Sequence, residues 1–170
     1  MKHASILLAA ALTLAAPAAF AQEGKVLGKF EDWVAQTFKE GSNTGCSMWT
    51  QPTKSEGKYT TRGPVYAYVT HRPWDKKVNE VSINIGYPFK PDSKAELRID
   101  SNKPLTLFTD GESAWNKLPA DDAALIKAMR NGGSMLVKGT SGRGTVTTDT
   151  FSLKGFAAAL DAISKACKVS

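Results

Sequence analysis

The sequence predicts a mainly β protein, an antiparallel β-sandwich or partly closed barrel with one internal helix and one C-terminal helix. Two observations lead to this class. Short runs of alternating apolar and polar residues recur every ~8 to 15 residues, with turn residues between them. Apolar residues at helical spacing occur in two places, once inside the chain and once at its end. Strands joined by turns favour antiparallel pairing over alternating βαβ units.

Residues 1–21 have the three parts of a secretory signal peptide. They begin with a basic end at Lys2, continue with an apolar run at 6–14 and finish in Ala19-Phe20-Ala21. We expect cleavage after Ala21, which leaves residues 22–170 as a single domain. The apolar run is shorter than the ~20 residues that span a membrane. The mature chain is therefore expected in the periplasm, at the cell surface or outside the cell, without a transmembrane segment.

The mature chain carries a mild positive charge. Lys2 is the one charged residue lost with the signal peptide, so 21 basic and 16 acidic residues remain, a net charge of +5. The excess is spread along the chain, which indicates a solvated surface or a weak attraction to an anionic envelope polymer. No helix-turn-helix or RNA-binding signature is present, so nucleic acid is not an expected partner.

The first half of the chain predicts four strands. Two short ones are expected at 33–38 and 47–50, followed by a polar surface loop at 53–63. The firmest pair consists of the runs at 64–70 and 78–88, which alternate cleanly around a short connection. Their inward residues are expected to be Val65, Ala67, Val69, Val81, Ile83 and Ile85.

The second half predicts further strands and both helices. Strands are expected at 95–99, 104–109 and 111–115, and a hairpin joins 134–138 to 144–151. The internal helix is predicted at 121–130, because acidic residues begin it and basic residues end it, with Asn131-Gly132 as a left-handed stop. The closing helix has Ser152 as its cap and an apolar stripe of Phe156, Leu160, Ile163 and Cys167.

The chain has two cysteines, Cys46 and Cys167. In a small exported protein two cysteines most often form one disulfide, because the compartment is oxidising. That bond would close a loop of ~120 residues and stabilise the fold by roughly 4 to 5 kcal/mol in the chain-entropy picture. The alternative is two free thiols, one of them catalytic.

The sequence contains no catalytic, metal or cofactor motif. His71 is the one histidine of the mature chain, too few for a zinc site, and no G-x-S-x-G elbow is present. The glycine-rich stretch at 139–145 lacks the spacing of a phosphate-binding loop and predicts a hairpin turn instead. We therefore expect a protein that is not an enzyme and has no cofactor.

One short segment has the composition of an interaction surface. His71, Arg72, Trp74 and Lys76 combine an aromatic ring with polar and cationic groups at the predicted hairpin tip between the two firmest strands. The alternative is that Trp74 folds back onto the sheet. The tryptophans at 33, 49 and 115 are expected in the core.

Several segments together resemble the invasion-associated locus B family of Gram-negative bacteria. They are the Asp32-Trp33 pair, RGPVYAYVT at 62–70, EVSINIGYP at 80–88, LFTDGESAW at 107–115 and the long run at 129–160. The RGT-x-x-x-DT-x-SL-x-G pattern at 143–155 is the most specific of them. The resemblance covers nearly all of the mature chain. It implies an exported, mostly β envelope protein, linked in pathogens to host-cell invasion, with no established enzymatic activity.

The resemblance also bears on the disulfide, because some members of that family have a further cysteine near the position of Thr37. Its absence here favours the long bridge between Cys46 and Cys167. Together these features predict a non-enzymatic envelope protein that acts as an interaction or binding module towards an unknown envelope or host protein. Two alternatives remain, a carrier of a small apolar ligand inside the sheet and an envelope hydrolase that uses His71.

Overall fold

The computed structural model describes residues 24–169, and the predicted signal peptide at 1–21 lies outside them. The described chain forms one sheet of eleven strands, in which every neighbouring pair is antiparallel. One helix lies inside the chain and a second one near its end. The predicted class is therefore confirmed: mainly β, antiparallel, with an internal and a C-terminal helix.

The elements follow the chain in this order: β1 (Val26–Phe30), β2 (Trp33–Glu40), β3 (Asn43–Thr50), β4 (Lys54–Gly57), β5 (Tyr66–Arg72), β6 (Lys77–Asn84), β7 (Ala95–Ile99), β8 (Leu105–Asp110), β9 (Ser113–Trp115), α1 (Pro119–Asn131), β10 (Ser134–Thr140), β11 (Val146–Ser152) and α2 (Phe156–Cys167). A short 3-10 turn, Pro73–Asp75, joins β5 to β6.

The sheet is a single curved one that is not closed into a barrel. Its strand order is β1-β2-β3-β5-β6-β9-β8-β7-β10-β11-β4, so β1 and β4 are its edges. Trp33 in β2 nevertheless donates its indole N–H to the carbonyl oxygen of Ser152 in β11, at 3.1 Å. These strands lie near opposite ends of the strand order, so the sheet must curve until its two ends approach each other.

The helices occupy the concave side of this curved sheet. Phe156 of α2 packs edge-on against the buried ring of Trp33, with 5.1 Å between ring centroids. Asp122 of α1 is buried and accepts hydrogen bonds from the backbone N–H of Val81 and the side-chain amide of Asn116. The inward residues of the sheet and the apolar faces of both helices form one buried cluster. The convex face of the sheet points away from this core.

Most predicted strands are present, but two were missed. The stretch at 53–63, predicted as a loop, contains β4, whose four residues are all exposed and pair with β11. A strand exposed on both faces has no alternating pattern, so its composition resembles that of a loop. The edge strand β1 was missed as well, because Gly28 and Lys29 interrupt its apolar pattern.

Both helices lie where they were predicted, and the acidic start and basic end of α1 are confirmed by Asp121, Asp122 and Arg130. The predicted left-handed stop of α1 and the predicted cap of α2 were wrong. Gly132 is extended rather than left-handed, because Asp100 accepts hydrogen bonds from the next two backbone N–H groups and directs the chain into β10. The N-cap of α2 is Gly155 in the left-handed region, φ +82°, rather than Ser152. A Cβ at this position would overlap the carbonyl oxygen of Phe30, so the close approach of β1 requires glycine.

Candidate functional site

The two cysteines are bonded to each other. Cys46 and Cys167 form a disulfide with a Cα–Cα distance of 6.0 Å across a sequence separation of 121 residues. The bond joins the last turn of α2 to β3, and Cys46 is fully buried. Neither cysteine in residues 24–169 is free, so a catalytic thiol has no support in this part of the chain.

His71 does not belong to a surface, and its predicted place at an exposed hairpin tip is wrong. Its side chain points to the concave side of β5 and is fully buried. The Nδ1 atom accepts a hydrogen bond from the backbone N–H of Asn79 at 3.0 Å, which places the proton of the neutral ring on Nε2. Nε2 then donates to the hydroxyl of Ser164 in α2, at 3.2 Å. Burial lowers the pKa of His71 to about 4, so the ring is neutral at physiological pH.

The other three residues of the predicted surface do lie near the outside. Arg72 is held by ion pairs with Glu80 at 3.0 Å and with Glu40 at 3.7 Å. Trp74 packs edge-on against Phe38 at a centroid distance of 6.4 Å, which is the alternative in which the ring folds back onto the sheet. Lys76 is exposed. A binding role for these three residues remains a prediction.

A groove of about 610 Å³, which we call the Arg62 groove, lies among the described residues. The loop at 58–63 forms one wall, the turn after β6 forms another, and the hairpin between β10 and β11 forms the third. The lining residues are Lys58, Tyr59, Thr60, Thr61, Arg62, Gly63, Gly86, Tyr87, Pro88, Glu112, Ser141, Gly142, Arg143, Thr145 and Thr147.

Arg62, one of the lining residues, forms a buried ion pair with Asp149, which lies behind the lining; we call this pair the floor of the groove. Two parallel hydrogen bonds of 2.8 and 2.6 Å join the guanidinium to the two carboxylate oxygens. The Nε–H of Arg62 donates to the carbonyl oxygen of Ile85, and Ser55 donates a further hydrogen bond to Asp149. Both charges are therefore paired and additionally hydrogen-bonded, as burial of an ion pair requires.

Aromatic rings and glycines hold this floor in place. The rings of Tyr87 and Tyr59 lie 5.0 and 5.5 Å from the guanidinium carbon of Arg62, within cation–π range. Tyr87 also shares a 2.7 Å hydrogen bond with Thr147, and burial raises the pKa of its phenol. Gly86 has a φ of +74°, and a Cβ there would overlap the carbonyl oxygen of Gly63. The groove is thus built on a rigid wall.

The rim of the groove suits the binding of a polar ligand. Lys58, Arg143 and Glu112 contribute charges, and threonine hydroxyls line the space between them. In residues 24–169 no group of three or more His, Cys, Asp or Glu side chains could hold a metal ion. The groove offers hydrogen bonds and charges to a ligand.

Sequence reasoning did not predict this site, although Arg62 and Asp149 both lie in segments that resemble the family. One signal was available, since Thr147, Asp149 and Phe151 alternate as the inward residues of β11 and place a carboxylate on a buried face. A buried carboxylate requires a cationic or hydrogen-bonding partner. The sequence does not show that the partner is Arg62, 87 residues away.

Comparisons with known proteins agree with the fold. The sequence matches the sequence model of the family described as Invasion associated locus B (IalB) protein over residues 33–164. It is also similar in structure to the crystal structure of invasion associated protein b from Bartonella henselae, with a TM-score of 0.56 and 15% identity. That match covers 83% of this chain and 96% of the other. A search of curated proteins found no match.

The structural likeness, at 15% identity, supports the fold alone. The family model is the stronger finding, because it extends from the start of β2 into the closing helix and so includes Cys46, Arg62 and Asp149. The resemblance predicted from the sequence is confirmed, and this chain belongs to the invasion associated locus B family.

Proposed function

We propose that this protein is a non-enzymatic binding module of the cell envelope that takes a polar ligand in the Arg62 groove. The observation that carries the proposal is the groove itself, about 610 Å³ in volume, with a charged floor that is already paired. A rigid, partly enclosed space with a few fixed polar groups is the usual form of a ligand site.

The same geometry argues against the hydrolase that uses His71. A general base must reach its substrate within hydrogen-bond distance. His71 is fully buried, and both ring nitrogens are engaged by Asn79 and Ser164. At the groove, the Asp149 carboxylate is held by Arg62 and Ser55, so the groove residues favour binding over catalysis.

The apolar carrier has less support than the groove. An apolar ligand inside the sheet would lie on the concave side, where the side chains of Phe156, Leu160 and Ile163 pack against the strands.

Within residues 24–169, neither helix has the length and apolar character that crossing a membrane requires. We further propose that residues 22–170 act as one exported domain in the periplasm, at the cell surface or outside the cell. Its proposed partner is an envelope or host protein, and binding to a host protein would serve host-cell invasion.

Site-specific photo-crosslinking in living cells tests the proposal. A photoreactive residue replaces Tyr59 at the rim of the groove, Trp74 at the 3-10 turn, or Leu118 as an exposed apolar control at the start of α1. We expect a discrete adduct from position 59 that disappears when Arg143→Glu reverses one rim charge. Lys168→Glu, a charge reversal outside the groove, is expected to leave the adduct unchanged.

Each result separates the candidate surfaces. A discrete adduct from position 74 with none from position 59 would move the binding site to the predicted hairpin surface of Arg72, Trp74 and Lys76. Diffuse labelling of equal strength from positions 59 and 118 would contradict a specific groove.

A further inference from the structure

Four aromatic side chains lie along one line across the convex face of the sheet, with a serine between the second and the third. The register of β2, β3, β5, β6, β9 and β8 places one residue of each strand beside the next, and the residues are Val34, Trp49, Tyr68, Ser82, Trp115 and Phe108. We call this line the outer aromatic row. Five strand spacings give it a length of roughly 24 Å. All six residues are half-buried. The prediction that Trp49 and Trp115 lie in the core is therefore wrong.

The other half of the convex face carries different residues and can be compared with the outer aromatic row. Across β7, β10, β11 and β4 the outward residues include the register partners Glu96 and Lys138, followed by Thr148 and Glu56. These side chains are polar or charged, as a solvated sheet face normally is. The outer aromatic row therefore exposes more apolar surface than a sheet face in contact with water normally does.

The polar atoms of this row are not used inside the protein. In the described part of the chain, the indole N–H groups of Trp49 and Trp115 and the hydroxyls of Tyr66 and Tyr68 make no hydrogen bond to another protein group. The buried Trp33, by contrast, donates to the carbonyl oxygen of Ser152. Tyr66 stands beside the row and packs edge-on against Trp49, with 5.5 Å between centroids. The face thus combines apolar rings with free hydrogen-bonding groups at Trp49, Tyr66, Tyr68 and Trp115.

Two lysines mark one end of the row. The ammonium nitrogens of Lys94 and Lys117 lie 3.8 and 4.3 Å from the centroid of the Phe108 ring, so they are within about 8 Å of each other. Neither has a carboxylate partner within ion-pair distance among residues 24–169. Two cations near one ring, without a counter-charge among the described residues, attract an anion to this end of the row.

We propose that the outer aromatic row binds an anionic polysaccharide chain, with an acidic substituent placed between Lys94 and Lys117. Sugar rings present C–H groups that pack on aromatic faces and hydroxyls that satisfy the free indole and phenol groups beside them. A lipid tail would leave these polar groups unpaired, at a cost in free energy. The row and the lysine pair are distinct from the Arg62 groove, with which they share no residue.

Calorimetric titration of the purified mature protein tests the proposal. The probes are alginate-derived and heparin-derived oligosaccharides, with neutral dextran, polyglutamate and anionic phospholipid vesicles as comparisons. We expect at least one acidic oligosaccharide to bind, with Trp115→Ala and Trp49→Ala each weakening it about tenfold or more. The double variant Lys94→Ala/Lys117→Ala is expected to weaken binding and to reduce its dependence on salt.

Matched variants keep the test independent of folding and of net charge. Lys138→Ala/Lys54→Ala removes two charges from the other half of the same face, and Phe30→Ala removes a half-buried aromatic ring from the concave side, outside the row. Both are expected to bind like the original protein, and all variants are compared only after their melting temperatures show that they fold. Equal binding of polyglutamate would reduce the effect to charge alone and overturn the proposal. Preference for the vesicles, absence of binding to either acidic oligosaccharide, or full affinity in both tryptophan variants would overturn it as well.

Discussion

At the scale of single residues, Arg62 and Asp149 carry opposite charges where water hardly reaches, with 4% and 1% of their side chains exposed. Such a pair contributes little net stability by itself, because desolvation offsets most of the attraction. Loss of one partner is costly, because it leaves the other charge buried and alone. The pair therefore determines how the loop at 58–63 lies over β11, and with it the shape of the groove.

We predict that Asp149→Leu lowers the free energy of unfolding by about 3 to 5 kcal/mol. The double variant Arg62→Met/Asp149→Leu is expected to recover most of that loss, because it leaves no unpaired charge. Urea unfolding of the disulfide-bonded proteins measures both. Lys54→Ala/Glu56→Ala, which removes an exposed pair, is the control and should change little. A double variant as unstable as Asp149→Leu would contradict the prediction.

His71 gives the fold a dependence on pH. Burial lowers its pKa to about 4 in the folded state, against 6.5 in the unfolded chain. The unfolded chain therefore binds a proton first as the pH falls. The contribution of the neutral His71 ring to the free energy of unfolding is therefore complete above pH 6.5 and decreases between pH 6.5 and 4. It amounts to about 3 kcal/mol at that pKa difference.

The variant His71→Asn tests this dependence, because its amide oxygen can still accept the N–H of Asn79. We expect the free energy of unfolding of the original protein to fall more steeply between pH 6.5 and 4 than that of the variant. The carboxylates titrate in both proteins, so the difference between the two curves isolates His71. Parallel curves would show that the ring is not buried in its neutral form.

At the scale of elements, α2 is held to the sheet by an apolar stripe and a covalent bond. Phe156, Leu160 and Ile163 are buried against the strands, and the disulfide follows one turn later. The stripe orients the helix and the bond fastens its end to β3. Asp161 of α2 also forms an ion pair with Arg130 of α1, which lies near the surface and contributes little to stability.

We predict that Cys46→Ser/Cys167→Ser lowers the free energy of unfolding by roughly 3 to 5 kcal/mol, because the unfolded chain loses a loop closure of 121 residues. Urea unfolding gives the value, and hydrogen exchange locates the change. Faster exchange should be concentrated in α2, since its last turn loses its attachment. Arg130→Ala is the matched control and should leave both measurements nearly unchanged. An unaltered unfolding midpoint in the double cysteine variant would contradict the role given to the bond.

At the scale of the whole molecule, the two faces of the curved sheet serve different purposes. The helices fill the concave face and complete the core, while the convex face carries the outer aromatic row. The sheet is open at β1 and β4 instead of closing into a barrel. The Arg62 groove lies where loops cross the ends of the strands, which is the usual location of binding sites on a rigid scaffold.

The predicted export determines the covalent form that we expect for the mature molecule. We expect the protein recovered from the envelope or medium to begin at Gln22, with both cysteines oxidised. Intact-mass measurement with alkylation, before and after reduction, tests both points together. Native protein that still carries residues 1–21, or thiols that react without a reductant, would contradict export through a cleaved signal peptide into an oxidising compartment.

The class, most strands, both helices and the family could be predicted from the sequence, because these depend on local order along the chain. Period-two alternation places Val65, Ala67 and Val69 on one face of β5, and helical spacing places Phe156, Leu160 and Ile163 on one face of α2. The pairing of the two cysteines followed from their number in a chain predicted to be exported.

Tertiary structure alone decided the sites. Alternation places His71 on the same face as Val69, but only the packing of α2 shows that this face is covered at its end. The partnership of Arg62 with Asp149, like the alignment of Trp49, Tyr68 and Trp115, joins residues far apart in the chain. Such neighbours depend on strand order and sheet curvature, which arise from the closure of the whole core and are not encoded in any single segment.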